Sequence, residues 1–485
     1  MVQKYDVMII GSGVIGASIA RELSRYQLKI GVLEKMPDVC CGTSARNSGV
    51  LHAGFNNKPG TKMAKFCVEG NREFDRLAEE LDVPFRRTGK LIIGFTSEDL
   101  EKLKGLKEQG DQNKVPGLEL VDKDFIRSKL PAAQGEFAMW SPATGILNPF
   151  QYTIALAENA CANGVDFYFE HEVTAISDDG ALYTITAGKE TFQSEFIINC
   201  AGLYSDRICE MLGIHDYKIY PCKGEYYLFD QQLGDLLPLP AYPVPNIRTG
   251  GLGIHLTPTM DGNVFAGPSN EYIDDVEDYA AEKPVMDMLL KDASRIFPYL
   301  TKDKIIRNFT GIRPKLVSKD EGGYHDFVIE RRTDAPRAVI LTGIESPGLT
   351  SAAPIAREVL RLLSEVMDLV PNRNFNPRRE GMITFRDKSP EEQARLIASN
   401  PDYGEIVCRC ETITKAEVLQ AIRNPLGVHT VTGIKYRCRT MMGRCQGGYC
   451  QMRVTDLLMK EMGLAREEIR YNKEGAWIFT GQVRP

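Results

Sequence analysis

The sequence predicts an α/β protein: a Rossmann-like nucleotide-binding domain, a mainly antiparallel second domain and a small helical domain at the C-terminus. Three observations support this. The chain opens with a strand, a glycine turn, a helix and a second strand; two later apolar strands also end in glycine turns; and four cysteines form two close pairs near the end. Because 485 residues exceed what one core normally holds, we expect several domains.

The first segment carries a dinucleotide fingerprint. The strand YDVMII runs into GSGVIG and the amphipathic helix ASIARELSRY, and the second strand, KIGVLEK, contains Glu34 near its end. Gly11 permits the tight turn, Gly13 lets the backbone approach a pyrophosphate, and Gly16 lets helix and strand pack closely. Glu34 stands where a carboxylate would hold ribose hydroxyls. The residues expected at the turn and helix N-terminus are Gly11, Gly13, Val14, Ile15 and Gly16.

Three further segments indicate a large cofactor. The loop CCGTSARNSGVLHAG is dense in small and hydroxyl-bearing residues, which suits a backbone that runs close to a ligand. EFIINCAGLYSD and AVILTGIESPGLTSAAPIAREV each predict a strand that ends in a glycine turn. These segments resemble the flavoenzymes of the D-amino-acid oxidase superfamily, in which they wrap FAD. The cofactor-binding residues that this resemblance implies are Thr43, Ser44, Asn47, Ser48, Gly49, Val173, Ala201, Gly202, Gly348, Leu349 and Thr350.

The resemblance is closer to one branch of that superfamily. RNSGVLHAG, KPGTKMAKFC, TGKLIIG, KGEYYLF and TGIRPK are similar to L-2-hydroxyglutarate dehydrogenases and oxidases over roughly residues 1–370. The chain departs from that branch at Arg46, where a histidine is usual, and at Asn56 and Asn57, where aromatic residues are usual. The implied domains are a discontinuous FAD domain at 1–85, 146–215 and 310–370, and a substrate-binding cap at 86–145 and 216–309.

The four cysteines follow a polar segment, 371–403, which we interpret as a linker with one short helix. Cys408 and Cys410 form a CxC pair and Cys445 and Cys450 a Cx4C pair, so zinc and an iron–sulfur cluster are both chemically possible. The spacing resembles bacterioferritin-associated ferredoxin domains, and MMGRCQGGYC resembles the domain appended to anaerobic glycerol-3-phosphate dehydrogenase catalytic subunits. The resemblance implies a 2Fe-2S domain at 404–462, followed by a tail at 463–485, with Cys438 as a bystander.

The two cofactors constrain each other. A nicotinamide passes two electrons together as a hydride, whereas an iron–sulfur cluster accepts one electron at a time. A flavin can exchange electrons in either way. FAD is therefore the dinucleotide that is consistent with a C-terminal cluster, and the cluster is expected to serve as an electron exit.

Histidine and arginine supply the candidate catalytic groups. His52, in the loop that would wrap the flavin, and His255, on a predicted cap strand, could each take a hydroxyl proton, because imidazole titrates near neutral pH. Arg313, between a glycine turn and a proline, could grip a carboxylate or phosphate. Weaker pocket candidates are Lys90, Tyr226 and Tyr227; the other histidines are expected to be ordinary surface residues.

Composition limits the partners. A net charge of −6 and a pI near 5.8 argue against nucleic-acid binding, and the chain has no apolar run long enough for a transmembrane helix. We expect a cytoplasmic dehydrogenase that a partner can hold at the periphery of a membrane. Its substrate would be a small anion with a secondary alcohol, either glycerol 3-phosphate or an L-2-hydroxy acid such as L-2-hydroxyglutarate, and its electron acceptor a protein subunit or a quinone-linked partner. The alternatives are an amine dehydrogenase of the amino-acid or opine type and a non-catalytic redox or iron-docking flavoprotein.

Overall fold

The structure is a computed structural model that describes residues 2–245 and 253–481. Residues 246–252 of the predicted cap and 482–485 of the predicted tail lie outside the described residues. The helices are α1 (Val14–Leu23), α2 (Lys62–Leu81), α3 (Ser97–Gln112), α4 (Lys123–Lys129), α5 (Pro149–Ala162), α6 (Ser205–Met211), α7 (Lys283–Ile296), α8 (Gly348–Ser364), α9 (Pro390–Ser399), α10 (Lys415–Ile422), α11 (Val431–Cys438) and α12 (Gln451–Met462).

The strands, in chain order, are β1 (Gln3–Ile10), β2 (Ile30–Glu34), β3 (Val50–Leu51), β4 (Phe85–Arg86), β5 (Lys90–Gly94), β6 (Glu119–Asp122), β7 (Phe137–Ser141), β8 (Gly145–Leu147), β9 (Asp166–Phe169), β10 (Val173–Asp178), β11 (Tyr183–Ala187), β12 (Glu190–Asn199), β13 (Tyr220–Phe229), β14 (Ala241–Pro243), β15 (His255–Pro258), β16 (Val264–Gly267), β17 (Glu271–Tyr272), β18 (Ile305–Lys315), β19 (Val328–Arg331), β20 (Ala338–Thr342), β21 (Ile406–Cys408) and β22 (Ile413–Thr414).

The first domain has the predicted Rossmann-like sheet. Strands β20, β12, β1, β2 and β9 lie side by side and parallel, with β19 antiparallel on β20. The apolar run of β1 is buried because helices cover the sheet, as is usual for parallel strands. The carboxyl ends of β1 and β2 therefore meet at one edge, where α/β folds commonly bind ligands.

The second domain is mainly antiparallel, as predicted. Its sheet runs β17-β13-β16-β15-β14-β5-β7-β6, with β18 also paired to β13, and only the β14–β5 pair is parallel. Strand β18 crosses the expected boundary at residue 310, because it stays paired with cap strand β13 up to Lys315. This long strand carries Arg313 from the cap toward the first domain.

The third domain is small and mostly helical, with a β21–β22 hairpin and helices α10, α11 and α12 around an apolar core. Thr414 and Glu417 form a capping box that fixes the start of α10. The segment expected to be a linker includes α9, but it is not loose. Arg379 forms an ion pair with Glu158 at 2.6 Å, and Asn159 donates a hydrogen bond to the carbonyl of Asn376 at 3.1 Å.

Helix α11 fixes the third domain against the other two. Arg437, buried, donates hydrogen bonds of 2.6 and 3.1 Å to Asp38 of the first domain. Tyr436 stacks on Phe150 of α5, with ring centroids 4.7 Å apart. Just beyond the helix, Arg439 forms an ion pair with Asp261 of the cap. Within the described ranges, no helix is both long and apolar enough to cross a membrane.

Candidate active site and metal centre

A cavity of about 740 Å³ lies between the first sheet and the cap. Its size is in the range of cofactor and ligand sites. Most of the predicted cofactor-binding residues line it, together with all three catalytic candidates. The lining includes Gly11, Gly13, Val14, Ile15, Glu34, Thr43, Ser44, Asn47, Ser48, Val173, Ala201, Gly202, Gly348 and Leu349, with His52, His255 and Arg313.

Three predicted cofactor residues stand behind this lining instead. A Cβ on Gly16 would collide with the carbonyl oxygen of Gly11, so this glycine allows α1 to pack on the turn. Gly49 has a φ of +63°, and its carbonyl accepts a hydrogen bond from the Leu147 amide at 2.8 Å. Thr350 accepts a 2.9 Å hydrogen bond from the main-chain amide of His52. They shape the cavity without facing it.

The glycine-turn end of the cavity fits a dinucleotide. Gly11 has a φ of +101°, and a Cβ there would lie 2.6 Å from the carbonyl oxygen of Cys200. Helix α1 begins at this turn without a side-chain cap from Gly13. The Val14 amide donates to the Ser44 hydroxyl at 3.0 Å, and the next amide groups of the first turn are available to a phosphate. Glu34 accepts hydrogen bonds from the amide and hydroxyl of Ser12, at 2.8 and 2.9 Å, and burial raises its pKa.

His52 lies at the other end of the cavity. Its backbone is fixed by Thr350 and by Asn71, whose side-chain amide donates to the His52 carbonyl at 2.9 Å. Its Nε2 lies 3.5 Å from the Ser346 hydroxyl, a long and weak contact. Burial lowers the pKa of His52 well below its ordinary value, so the imidazole is neutral at neutral pH and can accept a proton.

His255 is held more firmly. Its Nδ1 lies 3.1 Å from the carbonyl of Gly253, which can only accept, so Nδ1 carries the hydrogen and Nε2 accepts from Ser48 at 3.0 Å. The ring also stacks on Tyr242 at a centroid distance of 3.8 Å. Burial lowers the pKa of His255 to about 3. With both ring nitrogens engaged, His255 is better placed to orient Ser48 than to take a proton from a ligand.

Arg313 lines the cavity from β18. Its guanidinium donates to the carbonyl of Ser269 at 3.1 Å and to the side-chain oxygen of Asn270 at 2.8 Å. Glu345, which also lines the cavity, forms a buried ion pair with Lys315 at 3.1 Å. The guanidinium is therefore oriented by neutral hydrogen-bond acceptors, and the nearest carboxylate, Glu345, is shared with Lys315.

Lys90 is the most unusual charged group near the site. Its side chain is fully buried, and its Nζ has no hydrogen-bond partner within the part of the chain that the structure describes. The ammonium lies 4.5 Å from the ring centroid of Phe55 and 4.3 Å from that of Tyr242. Burial lowers its pKa to about 7. Lys90 lies behind the cavity wall, whereas Tyr226 is part of that wall.

The four cysteines predicted as cluster ligands lie close to one another in the third domain. Their thiols interact in two pairs, Cys408 with Cys450 and Cys410 with Cys445. The hydrogen bond from Cys450 lowers the pKa of Cys408 to about 6. Among the described residues, no three His, Cys, Asp or Glu side chains converge on a single metal ion. Two pairs of thiols suit a two-iron cluster, which needs two ligands at each iron, better than one tetrahedral zinc.

The backbone around these cysteines favours anionic sulfur. Amide groups of Glu411 and Met441 donate toward Cys408, and those of Gly447 and Tyr449 donate toward Cys445. Non-glycine residues adopt a positive φ here, 53° at Thr412, 64° at Met441 and 49° at Gln446. Such strained conformations tend to cluster at functional sites.

Cys438 stands apart from the pairs. Its thiol donates to the carbonyl of Ile434 at 3.2 Å within the apolar core of the third domain, and burial raises its pKa to about 12. It is therefore a neutral thiol at neutral pH, which supports the prediction that it is a bystander.

Several lining residues were not predicted. His171, expected to be an ordinary surface residue, lines the cavity and lies 2.7 Å by its Nδ1 from the carbonyl of Phe169. Lys35 had a signal, since it directly follows Glu34. No local motif marks the others, which come from α6 and the turn before it, from loops and from the tail; they include Tyr204, Arg207, Glu277, Tyr279, Tyr324, Asn472 and Lys473.

Comparisons with known proteins agree with this geometry. Residues 6–362 match the family described as FAD dependent oxidoreductase, and residues 406–460 match the BFD-like [2Fe-2S] binding domain. A glycerol 3-phosphate dehydrogenase of Caloramator mitchellensis is 38% identical over 99% of both chains. The mitochondrial L-2-hydroxyglutarate dehydrogenase of Homo sapiens is 32% identical over 73% of this chain and 87% of that protein. An FAD-bound L-α-glycerophosphate oxidase of Mycoplasma pneumoniae superposes with a TM-score of 0.72 at 29% identity, covering 78% of this chain and 99% of the other.

Proposed function

Because this chain belongs to the FAD-dependent oxidoreductases and carries a BFD-like 2Fe-2S domain, we propose that it is a dehydrogenase that oxidises the secondary alcohol of glycerol 3-phosphate. The similarity to a glycerol 3-phosphate dehydrogenase carries this choice, because it extends over both the flavin part and the cysteine-bearing domain. The L-2-hydroxyglutarate dehydrogenases match only about three quarters of the chain.

His52 is the proposed general base. Bound FAD supplies a two-electron acceptor for a hydride and can pass the electrons on singly. The neutral imidazole of His52 takes the hydroxyl proton, since His52 lines the cavity and its Nε2 makes only a 3.5 Å contact to Ser346. His255 holds the hydroxyl of Ser48 in place through its Nε2.

Arg313 is the proposed anion-binding residue. Its guanidinium is fixed by Ser269 and Asn270, so it meets a phosphate with little loss of side-chain entropy. Glu345 is paired with Lys315 at 3.1 Å, so two cations, Arg313 and Lys315, share this one carboxylate and a net positive charge is left for a ligand. The same guanidinium would also bind a carboxylate, which is why an L-2-hydroxy acid remains the second candidate substrate class.

The third domain is the proposed electron exit. Cys408, Cys410, Cys445 and Cys450 would hold the 2Fe-2S cluster, a one-electron carrier. Such a carrier requires a one-electron acceptor outside the chain, either a protein subunit or a quinone-linked partner. We place this activity in the cytoplasm, with any membrane association provided by that partner.

An anaerobic substrate screen tests the proposal. Under anaerobic conditions, sn-glycerol 3-phosphate should bleach the flavin absorbance within seconds, and its enantiomer, sn-glycerol 1-phosphate, is the matched control of equal charge. L-2-hydroxyglutarate, amino acids and opines form the comparison set. Faster bleaching by a hydroxy acid would move the substrate to the second class, and bleaching by amino acids or opines would favour amine oxidation. Absence of bleaching by every compound would contradict the proposed chemistry.

A further inference from the structure

Two residues of the C-terminal tail line the cavity that we assign to FAD. They are Asn472 and Lys473, which follow the cysteine-bearing domain and lie outside both matched regions. Through Lys473 the tail reaches the wall that contains Lys35, the neighbour of Glu34. This is the dinucleotide end of the cavity, which contains Glu34.

The tail is fixed in this position by several contacts. Arg470 forms a two-pronged ion pair with Glu170 of the first domain. The carbonyls of Arg470 and Tyr471 accept hydrogen bonds from the amides of Val431, at 3.1 Å, and Thr432, at 2.8 Å. These two amides open helix α11, so the tail is joined to the same helix that ties the third domain to the first.

Glu277 connects the three parts of the molecule at this point. Its carboxylate lies 3.2 Å from Lys35 of the first domain and 3.6 Å from Lys473 of the tail, and it accepts a hydrogen bond from the hydroxyl of Tyr204. Glu277 itself belongs to the cap sequence. The cap, the first domain and the tail therefore meet at this part of the cavity wall. The exposed Lys473 side chain also brings a positive charge to the wall next to Glu34, where a ribose is expected.

We propose that residues 470–473 form part of the FAD site, covering its dinucleotide end and slowing release of the cofactor. Cofactor retention then depends on the third domain, although the fingerprint that recognises the dinucleotide lies entirely in the first.

Cofactor titration tests this proposal. FAD is removed from the full-length protein, and the dissociation constants of FAD and of ADP, which represents the dinucleotide end alone, are measured by fluorescence titration and competition. Lys473→Glu should weaken both FAD and ADP about tenfold, because the new carboxylate repels Glu277 and so breaks the contact that holds the tail against the cavity wall. A deletion of residues 470–485 should weaken them further. Lys460→Ala, at an exposed lysine of α12, is the matched control and should change neither constant.

The outcomes separate binding from folding. The visible spectrum of the cluster and the melting temperature show whether the third domain is intact. If the deletion variant loses the cluster, the FAD and ADP constants of Lys473→Glu alone test whether the tail binds the cofactor. FAD and ADP constants within twofold of the unaltered protein would overturn the proposal. This test uses no substrate, so its result is independent of the proposed reaction.

Discussion

The two ends of the cavity are built by different physical means. The dinucleotide end uses backbone: Gly11 at a positive φ, the uncapped start of α1 and the amide groups around Glu34. The catalytic end uses titratable side chains, the half-buried His52 and the buried His255 and Lys90, and desolvation lowers the pKa of each. At the dinucleotide end, a substitution should therefore weaken cofactor binding by a steric clash with the backbone. At the catalytic end, removal of a single side chain should lower activity while the protein still folds.

The largest effect is expected at Gly11. Gly11→Ala would place a Cβ 2.6 Å from the carbonyl oxygen of Cys200, so the turn must shift and FAD binding should weaken at least a hundredfold. Gly213→Ala is the control, because Gly213 also has a positive φ, +78°, but no described atom lies within 4 Å of its added Cβ. Equal FAD affinity in both variants, measured by fluorescence titration, would show that the turn does not bind the cofactor.

His52→Gln should slow flavin bleaching by about 10²–10⁴-fold at saturating substrate while FAD stays bound. Since burial lowers the pKa of His52, the unaltered protein should keep its bleaching rate down to below pH 6.5 and lose it only as His52 becomes protonated. His255→Gln should have a smaller effect, about tenfold, because His255 acts through Ser48. Stopped-flow measurements of flavin bleaching across pH compare both variants. A larger loss of bleaching rate in His255→Gln than in His52→Gln would make His255 the general base and His52 the positioning residue.

Arg313→Lys keeps the charge but removes the two-pronged geometry. The apparent dissociation constant for substrate in anaerobic bleaching should rise about tenfold, with a smaller change in the limiting rate. Arg307→Lys, on the same strand β18, is the control and should behave like the unaltered protein. An unchanged substrate constant in Arg313→Lys would remove this residue from the anion site.

Lys90→Met should stabilise the protein by about 1–3 kcal/mol at neutral pH, because it replaces a buried amine that has no described hydrogen-bond partner. The pKa of Lys90 is about 7 when folded and about 10.4 when unfolded, so the unfolded chain takes up the proton first as pH falls. The unaltered protein therefore loses stability between about pH 10 and pH 7. The gain in melting temperature should shrink as pH rises toward 10, and a gain independent of pH would contradict this origin.

The comparison of the two ends also explains what the sequence could predict. Short sequence patterns determine the backbone geometry around Gly11 and Gly13 and the spacing of the CxC and Cx4C pairs. The fold, the FAD site and the cysteine pairs could therefore be predicted from the sequence. The choice between His52 and His255 could not be predicted, because it depends on the contacts of His255 with Gly253 and Ser48, which form only in the folded chain. The position of Lys473 at the cavity could not be predicted for the same reason, since the tail reaches the cavity only through tertiary packing.

The proposed function requires that one chain takes electrons from a secondary alcohol at the FAD site and passes them to the cluster. The most direct test is to mix anaerobic protein with sn-glycerol 3-phosphate and follow the flavin absorbance together with the paramagnetic signal of the reduced 2Fe-2S cluster. We predict that the flavin bleaches and the cluster signal then appears, and that Cys445→Ser bleaches at an unchanged rate without that signal. A flavin that bleaches in the unaltered protein while its cluster stays oxidised would contradict the claim.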